Sequence, residues 1–277
     1  MTLRLMADIG GTNARFAVAE NAQDLTPTIL PVADFERFED ALDAFLSTSG
    51  VHLDNIGSCA VAAAGPVSGG VVNLTNAPWV IDTHALKRRV ECPVGMLNDL
   101  EAVACALPVL SAEDTEIVRA GTRDSGDGLA PMIAVNVGTG FGAAVAVPAR
   151  GAWYPLATEP GHMLLGEGPG TIEDMLSGPG LARLRETGGD VRGVFSTALG
   201  RVTRDLVLAT GSWGGVRFCG GVMGAWDDVI DEATFHEGFG ADSTGPMAER
   251  LAAVTLARII HPLPAMLGLL NAPIDDA

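Results

Sequence analysis

The chain has 277 residues, 48% of them hydrophobic and 18% charged, with a net charge of −17. That is a globular composition, long enough for two domains, and with no basic patch it argues against nucleic acid or an anionic membrane surface as partner. A nucleotide stays open, because backbone N–H groups and a metal ion can hold its phosphates.

Cys59, Cys92, Cys105 and Cys219 form no C-x-x-C pair, so neither a zinc site nor a disulfide framework is indicated. Free thiols suit a reducing cytosol. Met1-Thr2-Leu3-Arg4 leads straight into a strand with no signal peptide in view, and "IIHPLPAMLGLL" is too short and interrupted to span a bilayer. The expectation is a cytoplasmic protein without membrane contact.

Leu3, Leu5 and Ala7 alternate with Arg4 and Met6, and Phe16–Ala19 form a second apolar run after Gly10-Gly11, which predicts a β-hairpin. No Gly-Lys-Ser/Thr follows the glycines, and no helix opens after them, so neither a P-loop nor a dinucleotide fingerprint fits. "FERFEDALDAFLSTSG" (35–50) has a helical period through Phe35, Phe38, Leu42, Phe45 and Leu46, with Gly50 as the stop. "IGSCAVAAAGPV" (56–67) reads as a buried strand and "THALKRRV" (83–90) as a short helix. "VGMLNDLEAVACAL" (94–107) reads as a strand running into a helix, with Asn98 and Asp99 at the junction. The alternation predicts an α/β protein with a partly parallel sheet.

After a loop at 122–131, "MIAVNVGTGFGAAVAV" (132–147) repeats the opening pattern. With one gap, Asp8-Ile9-Gly10-Gly11-Thr12 lies over Asn136-Val137-Gly138-Thr139, about 128 residues later, and duplicated domains follow. A third glycine turn follows an apolar segment in "VRFCGGVM" (216–223).

Two facing glycine hairpins can grip a polyphosphate, with Thr12 and Thr139 adding hydroxyl donors. Asp8 beside them suits a magnesium ion, held through water. Asn98 and Asp99 stand at a strand end, where α/β proteins bind ligands. Glu159 and His162 in "EPGHMLLGEG" and Glu173 in "IEDMLSGPG" add the carboxylates and imidazole that polyol recognition needs. Each has a plainer alternative. The glycine turns can simply join core strands, Asp99 can be a helix N-cap, Glu159 and Glu173 can be solvated acids, and His162 can be structural. Glu101 and Glu167 read as surface residues.

In order, "DIGGTNARF", "AGPVSGGVVNLTNAPW", "LNDLEAVA", "VGTGFG", "EPGHM" and "LSGPGL" resemble the bacterial glucokinase family, within the sugar kinase, heat-shock ATPase and actin superfamily. The resemblance covers most of residues 3–182 and resumes more weakly at 211–222 and at the C-terminus. It implies an α/β, two-domain, actin-like ATPase (ribonuclease H-like) fold, with duplicated mixed-sheet domains around a cleft. The expected division is 1–109 with a return at 262–277, and 110–261. It further implies ATP and Mg²⁺, glucose or a similar hexose as substrate, and a homodimer. By position, Asp99 would be the base taking the proton of the sugar 6-hydroxyl. Asn76, Asn98, Glu159, His162 and Glu173 would bind sugar. Gly10, Gly11, Thr12, Asn13, Gly138, Thr139 and Gly140 would hold phosphates, and Gly220 and Gly221 would approach the adenosine.

The C-x-C-G-x-x-G-C zinc cluster of the repressor, open-reading-frame and kinase branch is absent, which disfavours that branch. Between "LSGPGL" and "GGVRFCGGV" the chain is short by roughly a helix or more, and its ending lacks the family's Gly-Leu-Leu-Gly run and longer final helix. Alternative readings are a kinase for another hexose, a catalytically weak sugar sensor, and an actin-like ATPase. The last would have no need of Asn98, Asp99, Glu159, His162 and Glu173.

Overall fold

A computed structural model describes residues 3–65, 69–74, 79–122, 129–166, 170–240 and 243–274. The chain forms two compact units: Met1–Ala106 with Ala152–Pro155 and Pro262–Ala277, and Leu107–Gly151 with Leu156–His261.

In the first unit the predicted hairpin is present. Strands β1 (Leu3–Ile9) and β2 (Asn13–Ala19) pair antiparallel, with Asp8 opposite Arg15 and Ile9 opposite Ala14. Strand β3 (Thr28–Pro31) pairs antiparallel with β2. On the other side β4 (Ile56–Ala63) runs parallel to β1, and a later strand, Val94–Asn98, runs parallel to β4. Between them lie β5 (Val71–Asn73) and β6 (Val80–Asp82), an antiparallel ribbon; Val94–Asn98 is therefore β7. The sheet order is β3-β2-β1-β4-β7.

Helix α1 (Phe38–Ser49) ends at Gly50, as its sequence predicts, but it starts at Phe38 rather than Phe35. A 3-10 turn at Val32–Asp34 precedes it, and Phe35 is extended, packing its ring on the core from outside the helix. Helix α2 (Thr83–Val90) is capped by Asp82, and α3 (Asp99–Ala106) follows β7 directly.

Both faces of the sheet are covered, so β1 is buried on alternate sides. Leu5, Ala7 and Ile9 join a core with Phe16, Phe38, Phe45 and Trp79. Met6 turns to the other layer, with Leu97, Ala102, Cys105, Met266 and Leu269. Cys59, Cys92 and Cys105 are buried free thiols, and burial pushes the Cys105 thiol up to about 12.

That second layer is closed by the C-terminal helix Pro264–Asn271. Arg4 Nη1 donates to the carbonyls of Leu269, Leu270 and Ala272 at 3.0, 2.9 and 2.8 Å, satisfying the open end of that helix. A Cβ at Gly268 would stand 1.6 Å from the Ala102 carbonyl oxygen of α3, so only glycine fits there.

The second unit repeats this plan. A sheet of order β11-β10-β9-β12-β13-β8 joins Ala152–Thr158, Phe141–Ala149, Met132–Val137, Val216–Cys219, Leu256–Ile259 and Thr115–Arg119, respectively. Strands β9 and β10 form the second predicted hairpin, and β12 lies parallel to both β9 and β13. In each sheet a meander of three strands is followed by two parallel ones, which is the duplication the sequence suggests. Helices α4 (Ile172–Met175), α5 (Gly178–Thr187), α6 (Val191–Thr210) and α7 (Gly221–Gly224) carry the rest of the argument. Among the described residues no helix is long and apolar enough to cross a membrane.

The tight packing at Gly268 gives a test. Gly268→Ala must separate two helix backbones, and the expected loss is about 1–3 kcal/mol of stability, read from a urea titration. A midpoint equal to the parent's would mean that the contact yields freely.

Candidate active site

In the first unit the Gly10–Thr12 turn is closed by Gly10 N–H donating to the Asn13 carbonyl at 3.0 Å and Val32 N–H donating to the Thr12 carbonyl at 2.9 Å. Gly11 and Thr12 stand exposed at its tip, and Asn13 begins β2. Asp8, at the end of β1, is 15% exposed, and Arg15 Nη1 donates to its Oδ2 at 3.1 Å from across the hairpin. Burial raises the Asp8 pKa above the ordinary carboxylate value. Arg15 opposes that rise, and the nearby Asp99 carboxylate adds to it.

Asn98 ends β7 and caps α3. Its Oδ1 accepts from Glu101 N–H at 2.6 Å, while Asn98 N–H donates to Glu101 Oε2 at 2.8 Å. This reciprocal capping box corrects two readings of the sequence. Asn98, not Asp99, is the cap, and Glu101 is a half-buried structural partner rather than a surface acid. The signal was present as Asn-x-x-Glu in "NDLE". The cap commits the Asn98 amide oxygen and leaves its NH₂ as the group able to meet a ligand. Asp99 is thereby the first residue of α3, with an exposed side chain at the positive end of a helix. Asn76 and Glu167 lie outside the described residues.

In the second unit the turn Gly138-Thr139-Gly140 joins β9 to β10, with Gly138 N–H donating to the Gly140 carbonyl at 2.9 Å. Gly220 and Gly221 follow β12 and lead into α7 beside it: a Cβ at Gly138 would lie 3.8 Å from the Gly221 nitrogen. Asn136, the repeat's counterpart of Asp8, meets the Cys219 thiol at 3.9 Å.

Glu159 and His162 are exposed around a 3-10 turn at Pro160–His162. That turn packs against β10 and α4, since a Cβ at Gly161 would sit 2.3 Å from the Phe141 carbonyl and 3.5 Å from Glu173 Cβ. The fold of this unit therefore gathers Glu159, His162, Glu173, the Gly138–Gly140 turn and Gly220-Gly221. A cavity of about 850 Å³ lies elsewhere in the unit, lined by Met163, Leu165, Ile172, Val194, Ala198 and Arg201 among others; it holds none of the predicted site side chains.

Asp8 suits a cation, because a buried carboxylate gains from nearby positive charge. Arg15 already supplies one at Oδ2. No group of three or more His, Cys, Asp or Glu side chains forms a metal site among the described residues. Magnesium characteristically needs only one or two carboxylates when it binds with substrate phosphates, and Asp8 fits that arrangement.

The glucokinase family model matches residues 5–194 and again 190–273. The chain belongs to the glucokinase family. A glucokinase of Caulobacter sp. (strain K31) is 30% identical over 323 residues, covering 99% of this chain and 96% of that protein. A crystal structure of a glucokinase from an Antarctic psychrotroph superposes with a TM-score of 0.83 at 26% identity, covering 97% of this chain and 98% of that one. A ROK-family glucokinase from Streptomyces griseus, in complex with glucose and AMPPNP, has a TM-score of 0.64 at 21% identity, covering 97% and 98%, and shares the fold. That fold is the actin-like ATPase fold, and family membership makes the chain an ATP-dependent hexose kinase by class.

The shortening read from the sequence has its counterpart here. An alignment of 323 positions exceeds the 277 residues of this chain. The two matches of the family model meet at 190–194, where α6 begins. Asp190, Gly193 and Val194, in the stretch where the two matches overlap, also line the 850 Å³ cavity.

Because burial raises the Asp8 pKa above its unfolded value, the stability tied to this group is fully present below the ordinary carboxylate range. It is lost as pH rises through the raised value. Asp8→Asn is expected to raise the urea midpoint at pH 7, with the difference shrinking toward about pH 3–4. A midpoint at pH 7 equal to or below the parent's would show that the Arg15 pair outweighs burial.

Proposed function

We propose that this chain is a glucokinase, transferring the γ-phosphoryl group of ATP to the 6-hydroxyl of glucose, with Asp99 as general base. The observation that carries the reading is the placement of Asp99. The Asn98–Glu101 box and the helix start fix its backbone, and its carboxylate is left exposed.

In this reading Asn98, through its NH₂ group, and Glu159, His162 and Glu173 hold sugar hydroxyls, and Asn76 lies near the sugar. Gly10, Gly11, Thr12 and Asn13, and Gly138, Thr139 and Gly140, hold phosphates, while Gly220 and Gly221 approach the adenosine. Asp99 accepts the 6-hydroxyl proton as the sugar oxygen bonds to the γ-phosphorus. The bond from that phosphorus to the β,γ-bridging oxygen breaks, and ADP departs. Phosphoryl transfer needs mainly positioning and charge neutralisation. Magnesium bound to the phosphates would supply part of the second, with Asp8 holding it through water.

A coupled ADP-release assay with ATP and Mg²⁺ tests the whole reading. Release is expected with glucose and not without it; release without any sugar would point to an actin-like ATPase instead. Asp99→Asn is expected to fold with the parent's urea midpoint and to lose at least about 10² in kcat; near-parental turnover would remove Asp99 from the role of base. Glu159→Gln is expected to raise the KM for glucose with kcat little changed, as loss of uniform binding does. An unchanged KM would count against its place in the sugar site.

A further inference from the structure

Glu173 does something that a sugar ligand alone would not need to do. Its Oε2 accepts a hydrogen bond from the Phe141 N–H at 2.9 Å. Phe141 is the residue immediately after the Gly138-Thr139-Gly140 turn. The same oxygen occupies the space beside Gly140, where an added Cβ would approach it to 2.4 Å. The turn's other end is held from the same stretch of chain, since Gly178 N–H donates to the Gly138 carbonyl at 2.7 Å.

Glu173 is itself held firmly. It sits in α4, whose start is closed by a capping box between Thr171 and Asp174, and it is flanked by buried Ile172 and Leu176. No described residue donates to its Oε1, which remains for a ligand. A carboxylate accepting from a backbone N–H makes a charge-assisted bond, stronger than a neutral one.

We infer that Glu173 is a positioning residue for the nucleotide: one carboxylate oxygen holds the Gly138–Phe141 turn in its phosphate-ready shape while the other faces the sugar. This rests on the assignment of that turn to phosphate under the proposed function. It predicts that a residue assigned to the sugar also governs nucleotide affinity, and that Gly140 is glycine because a side chain there would dislodge the carboxylate.

The test uses the full chain. ADP binding in the presence of Mg²⁺ and glucose binding are each measured by calorimetry, and exchange of the Phe141 amide is followed by NMR. The proteins are the parent, Glu173→Ala, Glu173→Gln, Gly140→Ala and the Glu173→Ala/Gly140→Ala double variant. Glu173→Ala is expected to weaken ADP binding at least about tenfold and to speed Phe141 exchange. Glu173→Gln keeps an acceptor oxygen and should recover most of both. Gly140→Ala should reproduce the loss with the carboxylate still in the chain, and the double variant should be no worse than either single one. Should Glu173→Ala fold poorly, Glu173→Asp, whose shorter side chain withdraws the carboxylate from the Phe141 amide, decides the matter by the same two readouts.

Unchanged Phe141 exchange and unchanged ADP affinity in Glu173→Ala and Gly140→Ala would overturn the inference. Faster exchange with ADP affinity untouched would overturn it through its premise, that the turn holds phosphate. Weaker ADP binding with glucose binding intact would keep the hold on the turn and overturn the part of the inference that gives the other oxygen to the sugar.

Discussion

The first unit depends on one close approach. With no side chain at Gly268, the C-terminal helix lies directly on the backbone of α3 at Ala102. Arg4, from the first strand, holds the end of that helix through three carbonyls. The beginning of the chain, its end and α3 are thus fastened into one layer on the sheet. Because α3 starts at Asp99, that layer also fixes where the exposed carboxylate stands. A stability feature and a functional position share the same contacts.

The second unit has a corresponding economy. Three points along the stretch from Glu159 to Gly178 lean on the Gly138–Phe141 turn. Gly161 packs on the Phe141 carbonyl, Glu173 accepts from the Phe141 N–H, and Gly178 donates to the Gly138 carbonyl. A backbone turn with few side chains of its own has little to hold it in shape, so neighbouring groups do that work. The two matches of the family model overlap after this stretch, at 190–194.

The acidic groups show how the same residue type is set to different uses by its surroundings. Asp8 is largely but not fully buried, paired with Arg15, and that burial raises its affinity for a proton. Asp99 is exposed at a helix start, Glu101 is consumed in a cap, and Glu173 shares itself between a backbone amide and open space. None of these differences follows from an acid's identity.

The sequence by itself determined the two hairpins, the helix ending at Gly50, the strand-to-helix junction at Asn98-Asp99 and the family. These rest on alternation, helical period and turn residues, which act over a few positions and leave their mark in the local pattern. The Asn98–Glu101 box left its signal there as Asn-x-x-Glu, although Glu101 by itself reads as a surface residue. The start of α1 was not legible there, because whether Phe35 winds into the helix or packs from outside it is settled by the core it meets. The bond from Phe141 to Glu173 spans 32 positions, and the contact of Gly268 with Ala102 joins the C-terminal helix to α3. Only the tertiary structure decided those, since nothing local constrains a distance between segments that the folding of the sheet alone brings together.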